Sequence, residues 1–531
     1  MKKSLLLLPI LAVPWSVRSA VTVDTVSPVA VTTSVYMSAN IAQDSHSNVH
    51  MVFVDTTTQI LKYAKLDNGT TTWAVTDITS NKVTPQSDLA LSPSGIPHVV
   101  YYQTDSPAGV KHARLSGSTW LSDSVEDFIS TSTFVSIAVG TDNAPRVVYS
   151  QSVSSTSFYG SQSGTVWVTT PIFTVTGGPV ALALDSSNSP SFLSIVDFLG
   201  ERLGLFVKQS GSGFYLAGFA QESASPLFGT QQMGLAIDKL GMAHMSYFDE
   251  DTGGLVYGFF DGVNFTSSTV DASSGAGAYS DISVNEQNKP MIVYTSTGIG
   301  LRSAVLTSFW TLSTLESGTF SGVGPSVVFN RYGHYLAGYL NGDTNELKFM
   351  TDAPRDLSIS GTVLDFAGAP IPGVALTLSG GIASAGVTVS AMTGGYSADH
   401  LFEGYYSLTP SLSGWAFQPN AQSVNPLQTS TVLNFQGGLV DFNTVGNLFN
   451  PANGEQVTFT YSIIPGHVSL KVYSLRGTPV RTLVDQDESA GTKSVTWDGR
   501  DSDGHVVASG IYLVYYEADQ TKSSVKIAVV K

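Results

Sequence analysis

The chain contains no cysteine. A disulfide framework, a thiolate metal site and a cysteine nucleophile are therefore excluded. Charge is scarce as well: charged residues make up 12% of the 531 positions, with 25 Lys and Arg against 41 Asp and Glu. The net charge of −16 argues against nucleic acid and anionic membrane surfaces as partners. Past the N-terminus no apolar run approaches the roughly 18 residues a membrane span requires. Catalytic signatures are also missing: there is no His-Glu-x-x-His, no Gly-x-Ser-x-Gly elbow and no phosphate loop ending in Gly-Lys. No catalytic set, metal site or cofactor is expected.

What is abundant is glycine, with 51 copies, in a chain that is 42% hydrophobic. That composition suits an exported all-β protein. One hairpin recurs seven times, most clearly at Leu89-Ala90-Leu91-Ser92-Pro93-Ser94-Gly95-Ile96-Pro97-His98-Val99-Val100-Tyr101-Tyr102. Its turn residue is Ser47, Gly95, Asn143, Asn188, Gly241, Asn288 and Gly333 in successive copies. The spacing is roughly 45–53 residues, which indicates a repeat architecture. Gly and Asn tolerate the left-handed backbone that such a turn needs. Six residues later comes an aromatic, Phe53, Tyr101, Tyr149, Tyr247, Tyr294 and Tyr339; the fourth copy departs with Ser194.

Each repeat carries four strand signals, in the first copy at 39–43, 50–54, 60–66 and 73–78. The fourth opens with Trp73, Trp120, Trp167, Phe214, Phe265 and Trp310. A ring there can bury itself between neighbouring sheets. The seventh repeat stops at Met350 without a fourth strand, and residues 21–26 supply a matching one. The expected fold class is all-β: residues 20–352 form a seven-bladed β-propeller closed by the N-terminal strand, followed by two small β-sandwiches. Residues 1–19 read as a secretory signal peptide, with Lys2 and Lys3 before a short apolar core; a buried first strand is the alternative.

The repeats resemble a bacterial secreted family whose consensus runs Asp-x-x-Gly-x-Pro-His-x-x-Tyr-Tyr-Asp, then Leu-Lys-Tyr-Ala, then Trp. The second copy carries Gly95, Pro97, His98, Tyr101 and Tyr102, and the first carries Leu61-Lys62-Tyr63-Ala64 and Trp73. The resemblance implies a propeller in an extracellular setting and no particular reaction. Sialidase-type propellers are a poor match: the Ser-x-Asp-x-Gly-x-x-Trp box is missing, and Arg114, Arg146, Arg202, Arg302 and Arg331 are scattered rather than grouped to clamp a carboxylate.

Two recurring polar positions are candidate sites. His50, His98 and His244 are equivalent in their repeats; on separate blades they stand too far apart to share one metal, and a half-buried hydrogen-bonding role is expected. Eight residues past the turn come Asp55, Gln103, Gln151, Asp249, Ser296 and Asn341, with Asp197 one place later in the fourth copy. They are candidates for a ligand-binding ring at one mouth of the channel, or simply strand exits that favour such residues. Asp249-Glu250-Asp251 is either a calcium or carboxylate cluster or a solvated turn.

Residues 357–437 alternate strands with Gly and Pro breaks, as in Ile359-Ser360-Gly361-Thr362-Val363 and Gly404-Tyr405-Tyr406-Ser407-Leu408. They resemble the carboxypeptidase regulatory-like domain, which implies a seven-strand transthyretin-type sandwich without peptidase chemistry. Residues 440–531 include Trp497-Asp498-Gly499-Arg500-Asp501-Ser502-Asp503-Gly504 and Ser509-Gly510-Ile511-Tyr512-Leu513. This part resembles the Ig-like domain of flagellar hook-capping proteins, and is similar to the C-terminal sorting domains of type IX secretion. The first resemblance implies an Ig-like fold, the second a partner in the secretion machinery. Asp498, Asp501 and Asp503 fit a tight turn better than an EF-type loop, since Ser509 stands where the Glu belongs.

Two function classes follow. One is a secreted or cell-surface binding protein with the propeller as recognition head for an extracellular glycan or protein ligand, and the sandwiches as stalk and attachment module. The other is a carbohydrate-active hydrolase or lyase with its site on the propeller rim. The lack of an acid–base constellation favours the first.

Overall fold

A computed structural model describes residues 21–28, 38–129, 134–151, 156–174, 178–198, 201–210, 213–223, 232–249, 252–319, 321–381, 385–389, 392–518 and 521–531. The expected signal peptide at 1–19 lies outside them. The chain divides into two compact units, Met1–Pro354 and Arg355–Lys531.

The first unit is built of seven four-stranded antiparallel blades among the described residues. Each blade begins with an inner strand, turns at the recurring hairpin into a second strand, and continues outward. All seven turn residues have positive φ, from 57° at Asn288 to 84° at Gly333. The steric reason read from the sequence therefore holds at every copy. The residue three places earlier usually clasps the turn with its side chain. Asp238 Oδ1, for example, accepts the N–H groups of Leu240 and Met242 at 2.9 and 2.8 Å.

Blade 1 contains Asn40–Gln43, Val49–Asp55 and Ile60–Leu66, and its fourth strand does not end as expected near 78. It runs on as Trp73–Leu91 to become the inner strand of blade 2, joining both blades in one seven-stranded sheet. The described inner strands abut in chain order, and that of blade 7 meets that of blade 1. The last blade is completed by Thr22–Pro28, antiparallel to Glu346–Thr351, with Val23 opposite Met350. The ring thus leaves no bare edge at its seam.

Neighbouring blades are zipped by the aromatics that open the outer strands. Trp120 packs edge-on against Tyr63 of blade 1 at 5.2 Å, Phe214 against Tyr159 of blade 3 at 5.1 Å, and Trp310 against Tyr257 of blade 5 at 5.0 Å. Trp73 meets Phe349 of blade 7 at 5.5 Å and so works across the seam. The second-strand aromatics are buried beneath them, Phe53, Tyr149, Tyr294 and Tyr339 completely. Each such side chain contributes about 2–3 kcal/mol through burial. In blade 4 the exception Ser194 is equally buried, and its hydroxyl pairs with Ser157 of blade 3 at 3.0 Å.

The second unit holds two sandwiches. In the first, Gly395–Leu401, Leu357–Asp365, Phe435–Leu439 and Trp415–Gln418 face Ala385–Thr388, Ala375–Gly380, Gly404–Ser411 and Gln422–Leu427. With the short Thr431–Val432 these are nine strand segments, not the seven that the resemblance implied. Ile359, Val363, Leu376, Leu378, Leu408 and Phe435 make its core. In the second, Asp441–Val445, Val457–Ile463 and Gly491–Trp497 face a five-stranded sheet whose centre is Gly510–Ala518 and Gly466–Ser474. Val457–Ile463 buries every other residue, the period a half-buried strand requires. Trp497 is fully buried between Phe449 and Tyr512, as expected of a core residue. The sandwiches touch directly. Val440 alone separates their strands and donates its N–H to Gly414 O at 2.9 Å.

Candidate functional site

The hairpin that repeats seven times fixes two polar positions per blade, and the structure assigns them opposite roles. Seven residues before the turn, on the inner strand, stand Asn40, Asp88, Ser136, Ala181, Gly234, Asp281 and Ser326. Most of them line a central cavity of about 110 Å³. Several reach sideways to the next blade and satisfy an inner-strand N–H that has no partner in its own sheet. Asp88 Oδ2 accepts from Ser136 Oγ at 2.8 Å and from Ile137 N at 2.9 Å. Asp281 Oδ2 accepts from Val327 N at 2.8 Å. Ser136 Oγ accepts from Leu182 N at 3.1 Å. At Gly234 there is no room for a side chain: a Cβ would lie 2.6 Å from Ile282 N. Asp88 and Asp281 face the lumen but are walled by protein, and desolvation pushes each up to about 6 against the N–H bonds that lower it. Nothing in the sequence reading singled out this ring. Its signal was a polar residue inside an otherwise apolar inner strand, as in Ser87-Asp88-Leu89-Ala90-Leu91.

The ring expected to meet a ligand behaves differently. Gln103, Gln151, Asp249 and Asn341 are buried, at 3–7% exposure. Gln151 Nε2 donates to Glu126 Oε2 at 3.3 Å, and Asn341 Nδ2 to Glu316 Oε1 at 3.2 Å. Both carboxylates belong to the outer strand of the preceding blade, and Glu126 also receives the Tyr149 hydroxyl. Gln103 Nε2 closes its own loop through Asp105 O and Pro107 O, at 3.1 and 3.2 Å. Asp249 Oδ2 accepts from Thr252 Oγ1 at 2.7 Å, and Asp55 Oδ1 from Thr57 N at 3.0 Å. Asp197 lies in the strand Pro190–Phe198, opposite Arg202; its side chain is outside the described set, as are Glu250 and Asp251. Gln103, Asp249 and Asp55 thus close their own loops, and Gln151 and Asn341 clasp the preceding blade. For Gln151 and Asn341 the partner is a carboxylate from the previous repeat, which no single copy reveals.

The repeated histidines are structural, and more deeply buried than expected. His50 and His244 bond the Tyr63 and Tyr257 hydroxyls through Nδ1, at 2.6 and 2.8 Å, and turn Nε2 toward the clasping Asp44 and Asp238. His98 bonds His112 at 2.9 Å, and His112 bonds Asp123 at 3.0 Å. Desolvation first, then the neighbouring His112, brings His98 down to about 4, so it stays neutral at physiological pH. Among the arginines, Arg146 pairs with Asp142 in its own turn and Arg302 with Asp271, so neither joins a clamp.

A cleft of about 470 Å³ opens between the turns of blades 7 and 1, within the usual size of a small-molecule site. Its floor is Ala42, Leu91, Val328 and Phe329, and its polar wall is Gln43, Asp44 and Ser45. Burial alone would raise Asp44, yet hydrogen bonds from His50 and Asn48 hold it below the ordinary range. The other lip is Arg331 and Tyr332, with the guanidinium 5.1 Å from the ring centre. Arg331 is exposed and has no carboxylate partner among the described residues. The corresponding tips elsewhere are Ser45-His46, Pro93-Ser94, Thr141-Asp142, Ser186-Ser187, Lys239-Leu240 and Glu286-Gln287. Only blade 7 pairs a cation with an aromatic there.

In the second unit Asp501, Asp503 and His505 bring ligand atoms within 4.8 Å of one another. Asp501 Oδ1 is engaged by the N–H groups of Asp503 and His505, at 3.0 and 2.9 Å. The group is a capped hairpin tip.

Residues 446–522 match the family described as the FlgD Ig-like domain. No curated protein matches the chain by sequence. Solved structures similar to it include the SapL1 lectin in complex with alpha methyl fucoside, at 14% identity and TM-score 0.40, covering 53% of this chain and 96% of that one. The fucose-specific lectin from Aleuria aurantia is 11% identical with TM-score 0.41, covering 54% and 97%. Hydrazine synthase of Kuenenia stuttgartiensis is 13% identical with TM-score 0.43, covering 60% and 96%. A lectin and an enzyme stand side by side in this set, and nothing about the ligand of this chain follows from it.

Proposed function

We propose that the chain is an extracellular recognition protein whose propeller binds a glycan in the cleft between blades 7 and 1. The two sandwiches act as stalk and attachment module, and the FlgD-like Ig domain is the piece that contacts export or surface machinery. The observation that carries the reading is the departure of one turn from the repeat. None of the other six tips pairs a cation with a Phe, Tyr or Trp ring, whereas blade 7 presents Arg331 over the Tyr332 ring beside apolar Ala42, Leu91, Val328 and Phe329. A ring face beside hydrogen-bonding Gln43, Asp44 and Ser45 suits a sugar, which offers an apolar face and a polar rim.

The test is a glycan array probed with the full chain, the Tyr332→Ala and Arg331→Ala variants alongside. Binding weakened at least about tenfold by either change, with the melting temperature held within roughly 1 °C, supports the cleft. Binding that ignores both substitutions sinks it. Release of shortened sugars from the array would move the protein to the hydrolase or lyase class.

A further inference from the structure

Among the seven turn tips, Lys and Arg occur at Lys239 and Arg331 alone. Lys239 is neutralised, because its ammonium pairs with Glu286 of the next tip. Arg146, just past the turn of blade 3, is neutralised as well, by Asp142 of its own tip at 2.7 Å. Arg331 differs from both. The residue that clasps its turn is Asn330, an uncharged amide whose Oδ1 accepts the N–H groups of Tyr332 and His334 at 2.9 Å each. In blades 1, 4 and 5 the clasping residue is an aspartate, Asp44, Asp185 or Asp238. The neighbouring turn of blade 6 brings Gln287 Oε1 toward Gly333, again without charge. Asp44, the carboxylate that lines the cleft, is only 8% exposed and is held by its own loop. Its Oδ1 accepts the His46 and Asn48 N–H groups at 2.9 Å each, and its Oδ2 the Asn48 amide at 2.8 Å. The exposed guanidinium at the lip of this cleft therefore has an aromatic ring beside it and no carboxylate partner among the described residues.

We propose that the cleft selects an acidic saccharide, a short glycan whose carboxylate or sulfate ester is held by Arg331 while a sugar ring lies against Tyr332. The assignment rests on the glycan reading of the same cleft and adds the charge of the ligand. A planar guanidinium meets two oxygens of one anionic group at once, and such a charge-assisted pair is roughly twice as strong as a neutral hydrogen bond. Contact with the Tyr332 ring restricts the arginine before a ligand arrives, so less freedom is lost on binding. Gln43 and the exposed Ser45, on the polar wall, supply hydrogen bonds to sugar hydroxyls. The chain's charge of −16 repels a polyanion, whereas a contact pair is shorter than the Debye length of about 8 Å and keeps its attraction. The ligand is therefore a saccharide with an isolated acidic group rather than a continuously charged polymer.

The experiment titrates the full chain calorimetrically, at pH 7, with three trisaccharides of the backbone that the array selects. One ends in a hexuronate, one has that carboxylate reduced to the alcohol, and one carries a sulfate ester on the same alcohol. At least one acidic form should bind about tenfold more tightly than the alcohol, and which form does so tells carboxylate from sulfate. Arg331→Gln should remove that preference while holding the affinity for the alcohol within about twofold, and Tyr332→Ala should weaken all three. Equal affinity for acidic and neutral forms, lowered alike by Tyr332→Ala, overturns the charge assignment and leaves the glycan cleft standing. A preference for the acid that survives Arg331→Gln overturns the assignment too. An array blank for acidic and neutral saccharides alike, or binding indifferent to Tyr332→Ala, overturns both readings.

Discussion

Two rings of polar side chains flank the same left-handed turn, one seven residues before it and one eight after. Both recur through the repeat: the earlier has Asp, Asn and Ser in five blades with Ala181 and Gly234 in the other two, the later Asp, Asn, Ser and Gln. The later ring drew attention in the sequence because its residues sit where strands run out into loops. In the folded ring they are the closed ones: Gln151 and Asn341 are held by Glu126 and Glu316 of the preceding blades. The earlier ring, embedded in apolar strands, is the one that faces the lumen. A polar residue at a strand exit finds partners in its own loop, as Gln103 and Asp249 do, or on the outer strand of the preceding blade, as Gln151 and Asn341 do. One inside an inner strand must find them in the neighbouring blade or in the channel, so the surprising position is the informative one.

The most drastic way to break this contrast is to open the ring. Deleting residues 21–28 removes the strand paired with Glu346–Thr351 and bares the edge of blade 7. Calorimetry should then show the cooperative propeller transition lost, with the melting of the sandwiches preserved. A truncated chain that melts like the intact one would mean the seam is closed in some other way.

Next in size is Glu126→Leu. It strips partners from the Tyr149 hydroxyl and from Gln151, both buried. A loss of about 2–4 kcal/mol in urea unfolding is expected if the later ring is structural. A ligand-facing Gln151 would instead leave stability nearly unchanged.

The earlier ring predicts a pH signature. Asp88 and Asp281 bind protons more tightly folded, near 6, than at the ordinary carboxylate value of 3.8. Folding therefore takes up protons, and the stability they contribute is complete below about pH 4 and lost as pH rises through 6. The size should be on the order of 1–2 kcal/mol per carboxylate, because the lumen admits some water. Asp88→Asn with Asp281→Asn should flatten the curve, and a step that survives in the double variant would assign it to other groups.

Smallest is the turn between the rings. Asn288→Ala at φ 57° should cost about 1 kcal/mol, and Asn288→Gly close to nothing. Equal losses for both would show that the Asn side chain, rather than the backbone, matters there.

Much of this protein was legible in one dimension. Turn residues, strand order, the interblade aromatics and the strand that closes the seam all follow from local sterics and from self-similarity, which a sequence displays directly. The FlgD-like domain was legible for the same reason, since Trp497 and its flanking strands carry their own core. Tertiary structure alone decided which polar ring looks inward. That choice rests on Glu126 and Glu316 reaching from one repeat into the next, and on Asp88 and Asp281 lining the channel while bonding the next blade's inner strand. It likewise made one cleft out of Arg331-Tyr332 and Gln43-Asp44-Ser45, nearly the whole propeller apart in sequence. Ring closure is what brings such residues together, and a linear pattern contains no trace of the distance across a closed ring.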